Sequence, residues 1–267
     1  MASLPTPSPS SPFSPSAVVS ALRAAGCVFA EDEAELILAT ARTSGEIASM
    51  VDRRTAGLPL EHVLGWAEFH GLRVTVEPGV FVPRRRTEFL VDRALAQVPD
   101  ARVVVDLCCG SGALGAALAA RLPAAEVHAA DIDPAAVRCA RRNLAPFGGR
   151  AHTGDLYDAL PPGLRGRVGI LTANVPYVPT AEVAMLPSEA RDHEPAVALD
   201  GGADGLDVLR RVAAGAAEWL APGGCLLSET GEHQAPAAVT AFERAGLTTR
   251  VAVSSQWQAH VVIGVRG

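Results

Sequence analysis

The chain has 267 residues, 49% of them hydrophobic and 19% charged, and its formal net charge is −6. This composition excludes a disordered chain, and the acidic balance argues against bulk affinity for nucleic acid, which needs a basic face. The five cysteines are scattered and odd in number, which is neither a disulfide framework nor a zinc pattern. We expect no metal site, free buried thiols and a soluble protein of the cytoplasm, since no apolar run reaches the length of a membrane span.

The first third of the chain is predicted to form three segments. Residues 1–15 are rich in proline and serine and lack the basic and apolar regions of a secretory signal, so we expect a disordered tail. Residues 16–57 carry apolar side chains at helical spacing and predict a small domain of three or four helices. Residues 58–82 are predicted to be a linker, in which alternation around Pro78-Gly79 indicates a β-hairpin.

Residues 83–267 are predicted to form an α/β domain. From about residue 101 the pattern of buried strand, turn and helix repeats, beginning with the strand VVVDL. Near-continuous apolar strands that alternate with helices predict a mostly parallel sheet covered on both faces. The last two strands, within residues 248–265, are predicted to pair antiparallel at the edge of that sheet.

A glycine-rich loop, CCGSGALG, joins the first strand of this domain to the helix that follows. Gly110 and Gly112 let the backbone turn sharply and approach a ligand, and Asp131 ends the next strand about 20 residues later, where a carboxylate can bind a ribose. Asp106 at the tip of the first strand would repel a pyrophosphate but suits the ammonium group of a methionine-type ligand. The loop therefore favours S-adenosylmethionine over NAD, and a dehydrogenase remains the alternative.

Two further stretches follow strands of the predicted sheet. Asp155 and Leu156 come after the third strand, where they can bind the amine of an adenine and pack on its ring, although a solvated loop aspartate or a helix cap explains Asp155 equally well. The fourth strand ends in Asn174-Val175-Pro176-Tyr177, at the edge where ligands of such sheets bind.

This tetrapeptide suits a substrate nitrogen whose lone pair is delocalised, as in an amide or an aromatic amine. The side-chain oxygen of Asn174 and the carbonyl of Val175 can each accept one N–H bond, which orients the nitrogen and favours its developing positive charge. Pro176 stiffens that carbonyl, and Tyr177 offers a flat wall. Taken alone, the tetrapeptide is better explained by a simple turn at a strand end. Its place after the fourth strand of a sheet that also carries the glycine loop favours the substrate role.

Several segments, in the same order, resemble the HemK family of protein-(glutamine-N5) methyltransferases, which methylate the glutamine of peptide-chain release factors. The resemblance extends from residue 17 over nearly the whole chain and is carried by residues 58–88, 106–115, 130–143, 174–179, 193–211 and 220–234. It implies a helical N-terminal domain, a hairpin linker and, over residues 83–267, a class I S-adenosylmethionine-dependent methyltransferase domain. Such a domain is Rossmann-like and has a mostly parallel seven-stranded sheet with an antiparallel last strand.

The resemblance also implies a role for each site residue. Asn174, Pro176 and Tyr177 would act in catalysis, and with Val175 they would hold the substrate amide. The segment 81–88 would line the substrate side through residues such as Arg84 and Glu88. The cofactor contacts that it implies, together with those from the strand ends, are Asp106, Gly110, Gly112, Asp131, Asp155, Leu156 and Asn174.

Two stretches depart from the family pattern, both beside the substrate. The usual Asn-Pro-Pro-Tyr has Val175 at its second position, and the usual Pro-Arg-Pro-Glu-Thr-Glu is Pro83-Arg84-Arg85-Arg86-Thr87-Glu88 here. We expect a divergent branch that methylates a glutamine in a release factor or a related protein, with no membrane partner and with nucleic acid met only through a ribosome-related partner. The alternatives are methylation of a nucleic-acid base amine, methylation of a small-molecule amide or amine, and a non-catalytic adaptor.

Overall fold

The computed structural model describes residues 13–267, so most of the predicted disordered tail lies outside the described residues. The end of that prediction is wrong, because Pro15 already begins the first helix. The Ser14 hydroxyl accepts the N–H of Ala17 at 3.3 Å and caps this helix, which explains why the helix begins inside the proline- and serine-rich stretch.

Four helices follow one another in the N-terminal region: α1 (Pro15–Ala24), α2 (Ala30–Thr40), α3 (Ser44–Thr55) and α4 (Leu60–Leu64). Their apolar faces meet in a small core that includes Leu22 of α1, Ile37 of α2 and Leu64 of α4. The helical spacing seen in the sequence therefore corresponds to real buried faces, although α4 falls within the stretch predicted as linker. The division of the chain at residues 57 and 82 stays a prediction.

A β-hairpin lies within residues 58–82, but its predicted turn is wrong. Strands β1 (Trp66–Phe69) and β2 (Leu72–Thr75) pair antiparallel, and the turn between them is His70-Gly71 rather than Pro78-Gly79. Both turn residues have a positive φ, 50° for His70 and 76° for Gly71, as the two-residue turns that match strand twist require. Pro78-Gly79 makes a separate turn after the hairpin.

The central sheet has seven strands in the order β5-β4-β3-β6-β7-β9-β8. β3 to β7 are parallel, and β9 is antiparallel to both β7 and β8, as predicted. The strand order reverses between β3 and β6, where ligands bind in α/β sheets. The strands are β3 (Val103–Leu107), β4 (Glu126–Asp131), β5 (Arg150–Thr153), β6 (Val168–Ala173), β7 (Leu220–Thr230), β8 (Leu247–Ser254) and β9 (Ala259–Arg266).

Helices cover both faces of this sheet. The first three helices after the hairpin pack on the face that carries Val104, and the last two pack on the face of Val103 and Val105. β3 is therefore buried on both faces, which is why its sequence is continuously apolar. These helices are α5 (Glu88–Gln97), α6 (Ala113–Arg121), α7 (Pro134–Leu144), the short α8 (Ser188–His193), α9 (Asp207–Trp219) and α10 (Ala235–Arg244).

Within residues 13–267 no helix is long and apolar enough to cross a membrane. In the same residues no three histidine, cysteine, aspartate or glutamate side chains come together as metal ligands would.

A buried cation, Arg54 of α3, joins the helical region to α8. Its Nε and Nη2 donate to the two carboxylate oxygens of Glu33, at 2.6 and 3.0 Å. Its Nη1 donates to Glu189 of α8 at 2.6 Å and to the carbonyl of Leu58 at 2.9 Å. Arg54 and Glu33 are each only 8% exposed, so neither charge has water to replace a lost partner.

We expect Arg54→Ala to lower the free energy of unfolding by about 3–5 kcal/mol, because it leaves the buried Glu33 carboxylate uncompensated. Arg54→Met combined with Glu33→Leu should restore much of this loss, since an apolar pair leaves no buried charge. Urea denaturation of the wild type and both variants measures the two effects. A single variant within about 1 kcal/mol of the wild type would contradict this account of the ion pair.

Candidate active site

A cavity of about 540 Å³ opens over the carboxyl ends of β3, β4 and β6. Its volume lies within the range of about 300–1,000 Å³ that is typical of small-molecule sites. Most of the predicted site residues line it, whereas Asp106, Gly112 and Glu88 do not. The predicted residues among its lining are Arg84, Gly110, Asp131, Asp155, Leu156, Asn174, Val175, Pro176 and Tyr177.

Asp106 lies beneath the glycine loop rather than at the cavity wall. Its side chain is completely buried, one carboxylate oxygen accepts the N–H of Gly115 at 3.0 Å, and the other accepts the hydroxyl of Thr172 at 3.0 Å. Burial raises the pKa of Asp106 to about 7, against these hydrogen bonds, which lower it. The carboxyl group is thus enclosed by the loop that it supports, and its contact with a ligand stays a prediction.

Gly112 serves helix packing rather than the cavity. It has a φ of 76° at the start of α6, and a Cβ there would lie 2.8 Å from the Cβ of Ala140 and 2.9 Å from its Cα. Only a glycine lets α6 approach α7 this closely. The cofactor contact of Gly112 stays a prediction, whereas Gly110, with a φ of 52°, lines the cavity.

Asp131, at the end of β4, holds the glycine loop from the cavity side. One carboxylate oxygen accepts the N–H of Gly110 at 2.8 Å, and the other accepts the N–H of Asp133 at 2.9 Å. Burial raises the pKa of Asp131. Each carboxylate oxygen can accept a second hydrogen bond, so Asp131 keeps acceptor capacity for the hydroxyl groups of a ribose.

Asp155 and Leu156 form the next part of the wall. The carboxylate of Asp155 accepts a hydrogen bond from Arg211 of α9 at 2.6 Å, so the aspartate is tied to a neighbouring helix. Leu156 is buried and has a φ of 48°, and Cys108 in the glycine loop has a φ of 53°. A left-handed backbone costs a residue other than glycine about 1–3 kcal/mol, and such residues cluster at ligand sites.

Asn174 follows β6 directly and carries the most informative polar atom of the cavity. Its side-chain oxygen is buried and accepts no hydrogen bond from any residue that the structure describes. A buried acceptor without a donor costs about 1–3 kcal/mol, so its retention points to a donor brought by a ligand. The next residue, Val175, is 2% exposed and belongs to the cavity lining.

The ring of Tyr177 is held by a network that sequence reasoning missed. Glu229, at the end of β7, is 2% exposed and accepts from the Nε of Arg86 at 2.7 Å and from the hydroxyl of Thr87 at 2.7 Å. Arg86 also donates to the hydroxyl of Tyr177. Burial raises the pKa of Tyr177 to about 12, so this hydroxyl stays protonated. An acid that ends an apolar strand was the available signal for Glu229.

The segment that precedes α5 brings a second arginine to the cavity. Arg84 donates to both carboxylate oxygens of Glu194, at 2.8 and 2.6 Å, and Glu194 also accepts the N–H of Val82 at 3.2 Å. A short 3₁₀ turn, Arg85–Thr87, then starts the chain into α5. Glu88 is the first residue of α5 and lies outside the lining, so its substrate contact stays a prediction.

The cavity thus has two chemically different ends. Asp131, tied to the glycine loop, and Asp155, tied to α9, border one end. The other end has the ring of Tyr177 and the Asn174 oxygen, which accepts no hydrogen bond from residues 13–267. Burial raises the pKa of the cavity thiols Cys108 and Cys109, so neither is a ready thiolate nucleophile. The arrangement can orient a donor and an acceptor against each other, and it needs no nucleophile from the protein.

Comparison with known proteins adds family relationships to this geometry. A family model described as the methyltransferase small domain matches residues 71–180. The release factor glutamine methyltransferase of Geobacter sulfurreducens is 41% identical over 199 residues, which cover 74% of this chain and 69% of that protein. The 4-amino-L-phenylalanine/4-methylamino-L-phenylalanine methyltransferase of Streptomyces pristinaespiralis is 39% identical over 203 residues, which cover 73% of this chain and 69% of that protein.

Two solved structures are similar in fold. A methyltransferase from Pyrococcus furiosus has a TM-score of 0.56 at 16% identity and covers 74% of this chain and 90% of its own. The T. Thermophilus 16S rRNA N2 G1207 methyltransferase, solved with AdoMet and guanosine, has a TM-score of 0.55 at 22% identity and covers 76% of this chain and 50% of its own. The predicted fold class is confirmed by these likenesses together with the strand order.

We expect Asp106 to make the folded protein less stable as the pH rises toward 7. The folded-state pKa of Asp106 is about 7, whereas an unfolded aspartate titrates at about 3.9, so the folded protein binds more protons between these values. The stability contributed by protonated Asp106 is therefore complete below pH of about 4 and is lost as the pH rises through 7.

Asp106→Asn removes this titration and keeps an oxygen that can accept the N–H of Gly115. Urea unfolding at pH of about 4.5 and 7.5 should show a larger loss of stability for the wild type than for the variant. Equal losses would contradict the raised pKa.

Proposed function

The chain belongs to the family of release factor glutamine methyltransferases, and we propose that it methylates the side-chain amide nitrogen (N5) of a glutamine in a protein. The methyl donor is S-adenosylmethionine. The observation that carries the proposed amide acceptor is the buried side-chain oxygen of Asn174, which has no donor among residues 13–267. The substrate we propose is a release factor or a related protein with a glutamine-bearing loop, met in the cytoplasm.

The carboxylate end of the cavity fits S-adenosylmethionine. Asp131 would accept the ribose hydroxyls with its remaining lone pairs, and Leu156 would pack on the adenine, whose amine Asp155 would bind. Gly110, which lacks a side chain, would let the backbone approach the amino-acid end of the ligand. When bound, S-adenosylmethionine supplies an electrophilic methyl group, and its sulfur keeps the electron pair of the broken carbon–sulfur bond.

The other end of the cavity would hold the acceptor nitrogen. The side-chain oxygen of Asn174 and the carbonyl of Val175 would each accept one N–H of the glutamine amide, so that its lone pair points at the methyl carbon. As the new nitrogen–carbon bond forms, the nitrogen becomes positive, and both acceptors bind it more strongly than in the ground state. The proton leaves for solvent after the transfer, so no strong base is required.

Tyr177 would supply the wall against which the planar amide lies. Its ring is fixed at the hydroxyl end by Arg86 and Glu229. A ring that is attached to the main chain at one end and hydrogen-bonded at the other offers the planar glutamine amide a fixed surface and adds contact area. We therefore assign Arg86 and Glu229 to positioning of the wall rather than to contact with the reacting atoms.

A labelling experiment tests the proposed substrate. The protein is incubated with methyl-labelled S-adenosylmethionine and release factors that carry Gly-Gly-Gln, and mass spectrometry locates the label. We expect it on the glutamine side chain, with no transfer to a release factor in which this glutamine is replaced by alanine. Absence of label on the glutamine would overturn the proposed substrate.

A second candidate acceptor is the amine of a small aromatic amino acid. It is favoured by the relative from Streptomyces pristinaespiralis, whose name gives 4-amino-L-phenylalanine as its substrate. An aromatic amine also has two N–H groups and a delocalised lone pair, so the same two acceptors would hold it. Methylation of 4-amino-L-phenylalanine with none on release factors would establish this candidate instead, and the reverse result would exclude it.

We expect Asn174→Ala to lower the turnover rate by about tenfold or more, because one hydrogen bond that strengthens in the transition state is worth about 1.4 kcal/mol or more. Affinity for S-adenosylmethionine, measured by calorimetry, should stay within about twofold, since Asn174 acts mainly on the acceptor. Thr248→Ala, at an exposed position on β8 outside the cavity lining, is the control and should keep wild-type turnover. An unchanged rate for Asn174→Ala would refute the role given to its oxygen.

A further inference from the structure

We infer that Gln234 is a positioning residue for the methyl transfer, acting through the main chain of the acceptor turn, residues 174–178. This inference rests on the proposed function, because it assigns the part of the protein that holds the acceptor groups in place. Gln234 ends a short 3₁₀ turn, Glu232–Gln234, between β7 and α10, and it does not line the cavity. It therefore acts on the reaction only through the residues that it binds.

The side-chain amide of Gln234 joins three separate segments. Its Nε2 donates to the carbonyl of Tyr177 at 2.8 Å and to the carbonyl of Asp204 at 3.0 Å. Its Oε1 accepts the N–H of Gly231 at 3.1 Å. Both amide hydrogens and the amide oxygen are thus engaged, and the side chain links the acceptor turn to the segment before α9 and to the end of β7.

Glycines in the segment before α9 make this close approach possible. A Cβ at Gly205 would overlap both the carbonyl oxygen of Tyr177 and the Nε2 of Gln234. A Cβ at Gly201 would lie 2.6 Å from the carbonyl oxygen of Pro176. The carbonyls of the acceptor turn therefore lie directly against this glycine segment, and no side chain separates them.

Backbone hydrogen bonds fix the same turn on its far side. The N–H of Val178 donates to the carbonyl of Leu199 at 3.0 Å, and the carbonyl of Val178 accepts the N–H of Gly201 at 2.8 Å. The N–H of Thr180 donates to the carbonyl of Gly202 at 2.9 Å. From Tyr177 onward the chain is thus held at four points, of which Gln234 is the one nearest to the acceptor groups.

The hydrogen bond from Gln234 to the Tyr177 carbonyl acts close to the acceptor groups, through a short and rigid stretch of main chain. Only Pro176 lies between Tyr177 and Val175, and its ring locks φ near −65°. Displacement of the Tyr177 carbonyl would therefore carry over to the carbonyl of Val175 and to Asn174. A shift of about 1 Å in a reacting group can lower a rate by about a hundredfold. Loss of the Gln234 hydrogen bond should therefore lower the rate of methyl transfer more than it lowers the stability of the fold.

Two substitutions of Gln234 test the inference, with turnover measured on whichever acceptor the wild type methylates. Gln234→Leu removes both donors, and we expect turnover to fall about 10- to 100-fold while affinity for S-adenosylmethionine changes less than about twofold. His233→Ala is the matched control, since His233 is exposed in the same 3₁₀ turn, and it should keep wild-type turnover.

Gln234→Glu tests whether the side chain at this position acts on methyl transfer through the acceptor turn or only stabilises the fold. The glutamate keeps an acceptor for Gly231 but, when ionised, places a negative charge against two carbonyl oxygens. A protonated glutamate regains one O–H donor, and its carbonyl neighbours favour that form. We expect turnover of this variant, relative to the wild type at the same pH, to rise as the pH falls from about 8 to 6.

The outcomes are distinguishable from failure of the proposed function. A wild type that methylates an aromatic amine and no glutamine overturns the proposed substrate, whereas Gln234 is still tested by turnover on that amine. An active wild type with unchanged turnover in Gln234→Leu overturns the positioning role. Parallel losses of turnover, cofactor affinity and thermal stability in both variants, with no recovery of Gln234→Glu at low pH, also overturn it, because they indicate structural support alone.

Discussion

The end of β6 is the constraint on which the rest of the site depends. This strand delivers Asn174 to the cavity with its side-chain oxygen buried and without a donor among residues 13–267, an arrangement that costs about 1–3 kcal/mol unless a ligand supplies one. The parallel sheet places the ends of β3 and β4 at the same edge. The strand order therefore places the site for the methyl donor beside the site for the acceptor nitrogen, and short loops complete each site.

Residues that hold other residues in place support each side of the cavity, and among those named below only Arg86 also belongs to the cavity lining. On the donor side, Asp106 supports the glycine loop from below, and Gly112 lets two helices close over it. On the acceptor side, Glu229 and Arg86 hold the ring of Tyr177, and Gln234 holds its carbonyl. The residues that contact the ligands are thus few, and their precise placement depends on the residues that hold the glycine loop and Tyr177.

Much of the fold could be predicted, because apolar runs, glycine turns and strand–helix alternation are local patterns. Motif spacing locates the strand ends, but it does not show which residues near them reach the cavity. Asp106, Gly112 and Glu88 are predicted to contact a ligand, yet they lie outside the cavity lining. The hairpin turn was misplaced because Pro78-Gly79 is the stronger turn signal in the sequence. The networks around Glu229 and Gln234 join residues far apart in the chain, and no local pattern connects such residues.

A crystal structure of the protein with S-adenosylhomocysteine and a glutamine-bearing substrate peptide tests the central claim most directly. The account predicts the glutamine amide nitrogen within hydrogen-bond distance, about 2.7–3.2 Å, of both the Asn174 side-chain oxygen and the Val175 carbonyl. It also predicts the nitrogen in line with the position of the transferred methyl group. A bound glutamine whose nitrogen contacts neither acceptor, with the Asn174 oxygen bonded to another protein group, would contradict the account.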